Sequence, residues 1–232
     1  MATKGKNPIH VAVIADGNRR WAIDKGLAPS IGHEKAGNKD NFLSMMEEAK
    51  SLGVKYLSFW VFSTENWNRN STEINFLFKI FLKWLTEWKK DLIERKVRFV
   101  HLGRKDRIPR ELASKLQELE EETKHFVDFT VIACIDYGGR DELIRAANKM
   151  LNSGVEKVDE NSFKQYLDTK DIPDPDLIIR TSGEQRLSGF MPFQSAYAEL
   201  YFTSVYFPDF DSLELRKAVE EFQRRNRRFG GN

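Results

Sequence analysis

The 232-residue chain has one cysteine, Cys134, so no disulfide framework can brace it. That cysteine lies inside the apolar run 129–135 and reads as a buried core thiol. No stretch approaches the ~18 consecutive apolar residues of a membrane span. The start, Met1 to Asn7, lacks the apolar core of a secretory signal, which points to a cytoplasmic protein; contact with a bilayer surface stays open. The net charge of +2 gives no global electrostatic case for nucleic acid. Internal repeats and low-complexity tracts are absent, and linker-like composition is confined to residues 154–161 and 169–175.

What the chain does have is 41% apolar and 31% charged residues, a balance that suits one large domain with a sizeable core. Strand-like runs (10–15, 56–62, 98–102, 129–135, 177–180) alternate with helical periodicity (34–52, 72–94, 111–123, 141–151, 213–225). Alternation of this kind implies parallel strands joined by crossover helices. The expected fold is therefore α/β: a single domain with a mostly parallel central sheet flanked by helices. Residues 1–8 read as a flexible N-terminus and 9–232 as the domain. The segment 111–124 is charge-rich with leucines on one face and reads as a solvated outer helix. The segment 72–94 differs, because its aromatic and aliphatic residues occupy more than the ~100° stripe of a surface helix. Either it is buried between the sheet and another element, or it walls an apolar tunnel.

The most informative segment is the first strand with the turn at its end. The apolar run from His10 ends in Asp16-Gly17-Asn18, a turn cluster, and Arg19, Arg20 and Trp21 come next. This places a carboxylate, backbone N–H groups and guanidinium forks at the carboxyl end of a strand, where open α/β sheets bind ligands. A carboxylate among arginines suits a magnesium–phosphate site. The plain alternative is an Asp-Gly turn with two surface arginines.

The same segment resembles the first signature of the cis-prenyltransferases, the family of undecaprenyl diphosphate synthase, with Ala15 where that signature has Met. Further blocks match in order: Phe62 to Arg69 (Phe-Ser-Thr-Glu-Asn-Trp-Asn-Arg), Tyr137 to Arg140 (Tyr-Gly-Gly-Arg), Asp176 to Phe190 and Ala196 to Phe202. Arg227 to Gly231 closes the chain as the family does. One block alone carries little; this many in one order is specific.

The resemblance implies a magnesium-dependent condensation of isopentenyl diphosphate with an allylic diphosphate such as farnesyl diphosphate, giving a Z-polyprenyl diphosphate. It implies that Asp16 holds magnesium on the allylic diphosphate, with Gly17, Asn18, Arg19 and Arg20 around that diphosphate and Trp21 packed nearby. His33 would reach phosphate or bound water. In the block Ser63, Thr64, Glu65, Asn66, Trp67 to Arg69, Asn66 holds a position tied to proton removal. An amide is a poor base, so Asn66 reads better as a group that orients a water or the diphosphate. Trp67 and Arg69 would gate the same cleft, and Glu73 could be simply a helix N-terminal charge.

Arg180, Arg186, Leu187 and Ser188 would form the isopentenyl diphosphate site, with two converging forks on one anion. Glu199 would be a second magnesium ligand or, structurally, one half of an ion pair with an arginine. The tail from Arg224 would reach across a homodimer interface rather than bind nucleic acid. Rival readings are a short-chain or irregular prenyl diphosphate synthase and a non-catalytic prenyl-diphosphate-binding partner subunit; Asp16 argues against the latter. There are departures from the pattern. Residues 27–30 lack the arginine usual before Gly32-His33, so one phosphate donor is either missing or supplied by Lys25 or Lys35. Asp136 stands where Asn is usual.

Overall fold

The computed structural model describes residues 7–225. Six strands form one all-parallel sheet: β1 (His10–Ile14), β2 (Tyr56–Ser63), β3 (Val97–Leu102), β4 (Phe129–Tyr137), β5 (Leu177–Arg180) and β6 (Glu199–Phe202), in the order β3-β4-β2-β1-β5-β6. The helices are α1 (Asn18–Asp24), α2 (Pro29–Ala36), α3 (Lys39–Ser51), α4 (Ser71–Glu94), α5 (Arg110–Thr123), α6 (Gly139–Asn152), α7 (Glu160–Lys164) and α8 (Ser212–Arg224). Among the described residues, no helix is long and apolar enough to cross a membrane. Of the eight residues read as a flexible start, 1–6 lie outside the described residues. Pro8 is buried and Asn7 accepts a hydrogen bond from Gln223 in α8 (2.6 Å), so both pack on the body.

Alternation along the strands sorts the core into two faces. Val11, Val13, Leu57, Phe59, Val131 and Ile179 join the apolar side chains of α3, α4, α5 and α8 on one face. Ala12, Ile14, Trp60, Ile132, Cys134 and Ile178 pack with Phe190 and Met191 on the other. Cys134 is fully buried there, and burial pushes its thiol well above the ordinary range.

Two elements depart from the sequence reading. The single helical period over 34–52 breaks at Gly37 and Asn38. A Cβ on Gly37 would lie 1.8 Å from the Trp84 ring, and the Asn38 side chain caps α3 by accepting from the Asn41 N–H (2.9 Å). The aromatic run at 199–202 is the edge strand β6, all four residues of which are half-buried. So short a strand lacks the alternation that marks strands in sequence.

The chain runs from β1 toward one edge of the sheet and returns at β5 to build the other. The carboxyl ends of β1 and β5, adjacent in the sheet, are therefore the topological switch point, where such sheets hold their ligands.

Candidate active site

At the switch point the β1–α1 turn meets the loop after β5. The Asp16 N–H donates to Thr181 Oγ1 (2.9 Å), and the Asp16 carboxylate accepts from the Gly17 N–H (2.7 Å). Gly17 sits at φ +98°, and a Cβ there would lie 2.5 Å from the Tyr206 ring, so only glycine fits. The turn thus presents Asp16 to the loop after β5. Its Oδ2 accepts from Arg180 Nη2 (2.9 Å), and Arg20 Nη2 lies 3.4 Å from Oδ1. Burial alone would push the Asp16 carboxyl up, but Arg180, Gly17 and Arg20 outweigh it and hold the carboxyl below its ordinary range.

Arg180 is buried. Its Nη1 donates to the Arg186 carbonyl and to Ser188 Oγ (2.8 Å), while its Nε is buried without a partner. The expected convergence of two forks takes another form. The Arg186 backbone turns to Arg180, and its guanidinium, largely exposed, turns outward to Glu184. Glu184 also accepts from Arg20 Nη1 (3.1 Å), and Arg20 Nη2 donates to Ser182 Oγ (2.6 Å). One carboxylate therefore joins an arginine of each expected subsite.

A second hub lies across the cleft. Glu73, in the first turn of α4, accepts from Arg69 Nη1 (3.0 Å) and stands 3.7 Å from Arg19 Nη1 and 3.9 Å from His33 Nε2. It is more than a helix-end charge, because three candidate residues converge on it. His33 is buried, and its Nε2 has no hydrogen-bond partner. Burial, reinforced by the Arg69 and Arg19 charges, lowers its pKa to about 4, so the ring is neutral at pH 7.

Ser63 and Asn66 form a reciprocal cap on the 3-10 turn at residues 64–68, with the Ser63 N–H donating to Asn66 Oδ1 (3.0 Å). The Asn66 oxygen is engaged, so the amide faces the cleft with donors. That is the chemistry of an orienting group and not of a base.

These groups line a cleft of about 480 Å³ that takes in Asp16, Gly17, Asn18, Arg19, Arg20, His33, Ser63, Asn66, Arg69, Arg180 and Ser188. Other expected residues stand elsewhere. Trp21 is buried beneath Lys25 (4.8 Å from ammonium to ring). Trp67 faces away from the cleft and donates to Asp136 (2.8 Å). Leu187 packs on the core face that holds Phe190. Thr64 lies against Gly138, and Glu65 lines a neighbouring hollow with Arg140, Ser188 and Gly189. Lys25, 4.0 Å from Asp209, and the exposed Lys35 do not line the cleft, so neither replaces the missing loop arginine.

Glu199 is also displaced. Strand register sets it level with Leu177 and Val11, five residues and so roughly 16 Å short of Asp16 along the strands. It accepts instead from Arg225 Nη1 (3.0 Å). Within one chain Glu199 and Asp16 do not share an ion, and the ion-pair alternative describes it. Among the described residues no group of three or more His, Cys, Asp or Glu is placed to hold a metal.

Beyond Val61, which lines both spaces, an apolar cavity runs between the sheet and α3 and α4. Its volume is about 70 Å³, with walls including Phe42, Phe59, Phe81, Trp84, Trp88 and Phe207. Phe42, Trp88 and Trp84 form a continuous stack, with centroids 4.0 and 5.5 Å apart. Phe78 instead packs on Phe62 and Trp67.

Sequence reasoning missed Glu184, Ser182, Thr181 and Tyr206 as site-building residues. The first three lie inside the quoted block 176–190, but which arginine each acid or hydroxyl meets depends on how the loop after β5 folds back. Tyr206, under Gly17 and the Arg20 guanidinium (5.8 Å) with its hydroxyl on Asp24 (2.8 Å), carried no sequence signal.

Residues 14–230 match the family model described as "Putative undecaprenyl diphosphate synthase". An isoprenyl transferase of Fusobacterium nucleatum is 45% identical over 97% of this chain and 96% of its own length. Among solved structures, lavandulyl diphosphate synthase of Lavandula x intermedia, in complex with dimethylallyl diphosphate, superposes with a TM-score of 0.91 at 35% identity, covering 97% of this chain and 98% of that one. A probable undecaprenyl diphosphate synthase of Campylobacter jejuni gives 0.81 at 32% identity, covering 97% and 99%.

Proposed function

Because the chain belongs to the cis-prenyltransferase family, that of undecaprenyl diphosphate synthase, we propose that it condenses isopentenyl diphosphate with an allylic diphosphate to make a Z-prenyl diphosphate. The observation that carries this reading is the adjacency of two unlike spaces. A cleft lined by arginines and an apolar cavity share Val61 in their walls, an arrangement that suits a substrate with an anionic head and a hydrocarbon tail.

In this reading Gly17, Asn18, Arg19 and Arg20 hold the allylic diphosphate. Arg180 and Ser188 hold the isopentenyl diphosphate, with Arg186 at the rim. A new carbon–carbon bond forms at the allylic carbon, the diphosphate leaves with the bonding pair, and a proton departs from the former alkene. The arginines take up the charge that develops on the leaving group. Asn66 and the neutral His33 orient the groups that receive the proton.

Asp16, with the unpartnered and buried Asn18 Oδ1 beside it, suits magnesium. That ion binds through one or two carboxylates and completes its shell with water and substrate phosphates, and it would polarise the leaving diphosphate. Glu199 forms no part of this site within one chain. The homodimer implied by the closing arginines and glycines belongs to the same proposal, although residues 226–232 lie outside the described part. So does a cytoplasmic location with membrane contact only at product release.

A cavity of about 70 Å³ is half the ~150 Å³ that accommodates benzene. This favours a short or medium product over a fifty-five-carbon chain. Purified protein incubated with labelled isopentenyl diphosphate, dimethylallyl or farnesyl diphosphate, and magnesium or EDTA tests the whole reading. A magnesium-dependent prenyl product of defined length is expected. No product from either allylic substrate overturns it.

A further inference from the structure

The residue that departs from the family's usual Asn, Asp136, stands behind the turn that carries Asn66. It is the penultimate residue of β4, at φ +51° with no exposed surface. A bare carboxylate so placed is costly, and two groups answer it. Arg107 grips it with both Nε (2.9 Å to Oδ2) and Nη2, and the Trp67 indole N–H donates to Oδ1 (2.8 Å). The Arg107 guanidinium also lies 5.8 Å from the Trp67 ring centre.

The loop that brings Arg107, residues 103–109, is itself tied to the same point. The Arg104 N–H donates to the Asp136 carbonyl (3.1 Å), and Gly103, at φ +117°, lies so close that a Cβ would be 2.3 Å from the Ile135 carbonyl oxygen. On the other side, Gly138 lets Thr64 sit directly on the backbone. The turn at 64–68 is thus held from behind at both Thr64 and Trp67, while Asn66 and Arg69 look into the cleft.

We propose that Arg107 and Asp136 are positioning residues: together they clamp the Trp67 indole and so fix Asn66 and Arg69 for the transferase reaction. Neither touches the cleft. The catalytic part of this inference rests on the transferase reading of the cleft; the clamp itself does not. Displacing a catalytic group by ~1 Å from a remote site can cost about a hundredfold in rate.

The logic of charge makes a specific rescue available. R107A leaves the buried Asp136 carboxyl without its cation. D136N/R107A replaces it with an amide that still accepts from the indole and needs no cation. The expected result, measured well below the melting temperature, is a fall in kcat of about tenfold or more for R107A, with both KM values little changed and kcat recovered in D136N/R107A. The Trp67 indole N–H resonance, assigned by its loss in W67F, should shift in R107A and return in the double variant. That readout needs no turnover, so it separates failure of the clamp from failure of the transferase reading. If R107A does not fold, R107Q takes its place with the same double-variant comparison.

Wild-type kcat in R107A with an unshifted resonance overturns the clamp. So does a melting temperature that falls and is rescued while kcat per folded molecule never moves, the signature of a merely structural pair. A lost kcat that D136N/R107A fails to restore overturns the charge-matching argument.

Discussion

The cleft and the apolar cavity that shares Val61 with it are built from opposite materials, and they stand open to different degrees. The cleft encloses about 480 Å³ and the cavity about 70 Å³. In the cleft, arginines are kept apart by carboxylates that each hold more than one of them: Asp16 between Arg180 and Arg20, Glu184 between Arg20 and Arg186, Glu73 between Arg69 and Arg19. Burying such charges is costly even when they are paired, so the cleft stays open. The cavity has no such props. A dry apolar void forfeits dispersion contacts along its lining, so rings close on it, and the Phe42–Trp88–Trp84 stack does so here. Binding therefore asks for exchange of ion pairs at one end of the substrate and displacement of rings at the other.

The largest expected effect tests the charged side. Asp16→Ala removes the carboxylate that Arg180 and Arg20 share and that would hold magnesium. Turnover should fall by about two orders of magnitude or more, with the folded state retained because the lost contacts lie at the cleft. Near-normal activity at saturating magnesium would break the assignment.

The next effect separates two arginines that look alike in sequence. Arg180 is buried at the cleft, whereas Arg186 is largely exposed and paired with Glu184. Arg180→Ala should raise the KM for isopentenyl diphosphate by roughly 10- to 150-fold, since a charged hydrogen bond contributes about 1.5–3 kcal/mol. Arg186→Ala should raise it only a few-fold. Equal effects, or a larger effect on the allylic substrate, would show the two subsites to be exchanged.

On the apolar side, Trp84 is the ring to remove. It lies against Gly37, stacks on Trp88, and lines the cavity that Phe78 does not reach. Trp84→Ala should lengthen the product, read by chromatography of the dephosphorylated prenols, whereas Phe78→Ala should leave length unchanged and lower stability by about 3–5 kcal/mol. A wild-type product of fifty-five carbons would show that the rings part readily.

The same contrast explains what could be read before the structure. β1 and the Asp16 turn were legible because local chemistry specifies both: a β-branched run, then a glycine at positive φ. The alternation that predicts parallel strands was legible because buried strands are short apolar runs. The break at Gly37 was not, because helical periodicity runs through it and the reason for the glycine is Trp84, far along the chain. The duties of Glu73 and Glu184 were not legible either, since an acid's partners are chosen by tertiary packing. Trp67 stands in the block expected to gate the cleft, yet its ring turns to Asp136; sequence names the block but not the side chain's direction.

The last comparison sets a cleft histidine against two in the scaffold. His10, held between Ser58 Oγ and the Pro173 carbonyl (2.7 Å each), and His101, on the Ile135 carbonyl (2.9 Å), are buried like His33. Burial lowers their pKa values to about 4 for His10 and His33 and about 3 for His101. The unfolded chain binds these protons near pH 6.5, and the fold resists them until the lower values. Their contribution to stability is therefore full above about pH 6.5 and lost as pH falls toward 4, by up to ~1.4 kcal/mol per pH unit for each ring. Urea unfolding between pH 7 and 4.5 should show this decline. His33→Asn should remove one proton from the slope. Inorganic diphosphate should flatten the slope only in protein that retains His33, because an anion in the cleft raises that ring's pKa and leaves His10 and His101 untouched. If diphosphate acts equally on wild type and His33→Asn, His33 does not sense the bound anion.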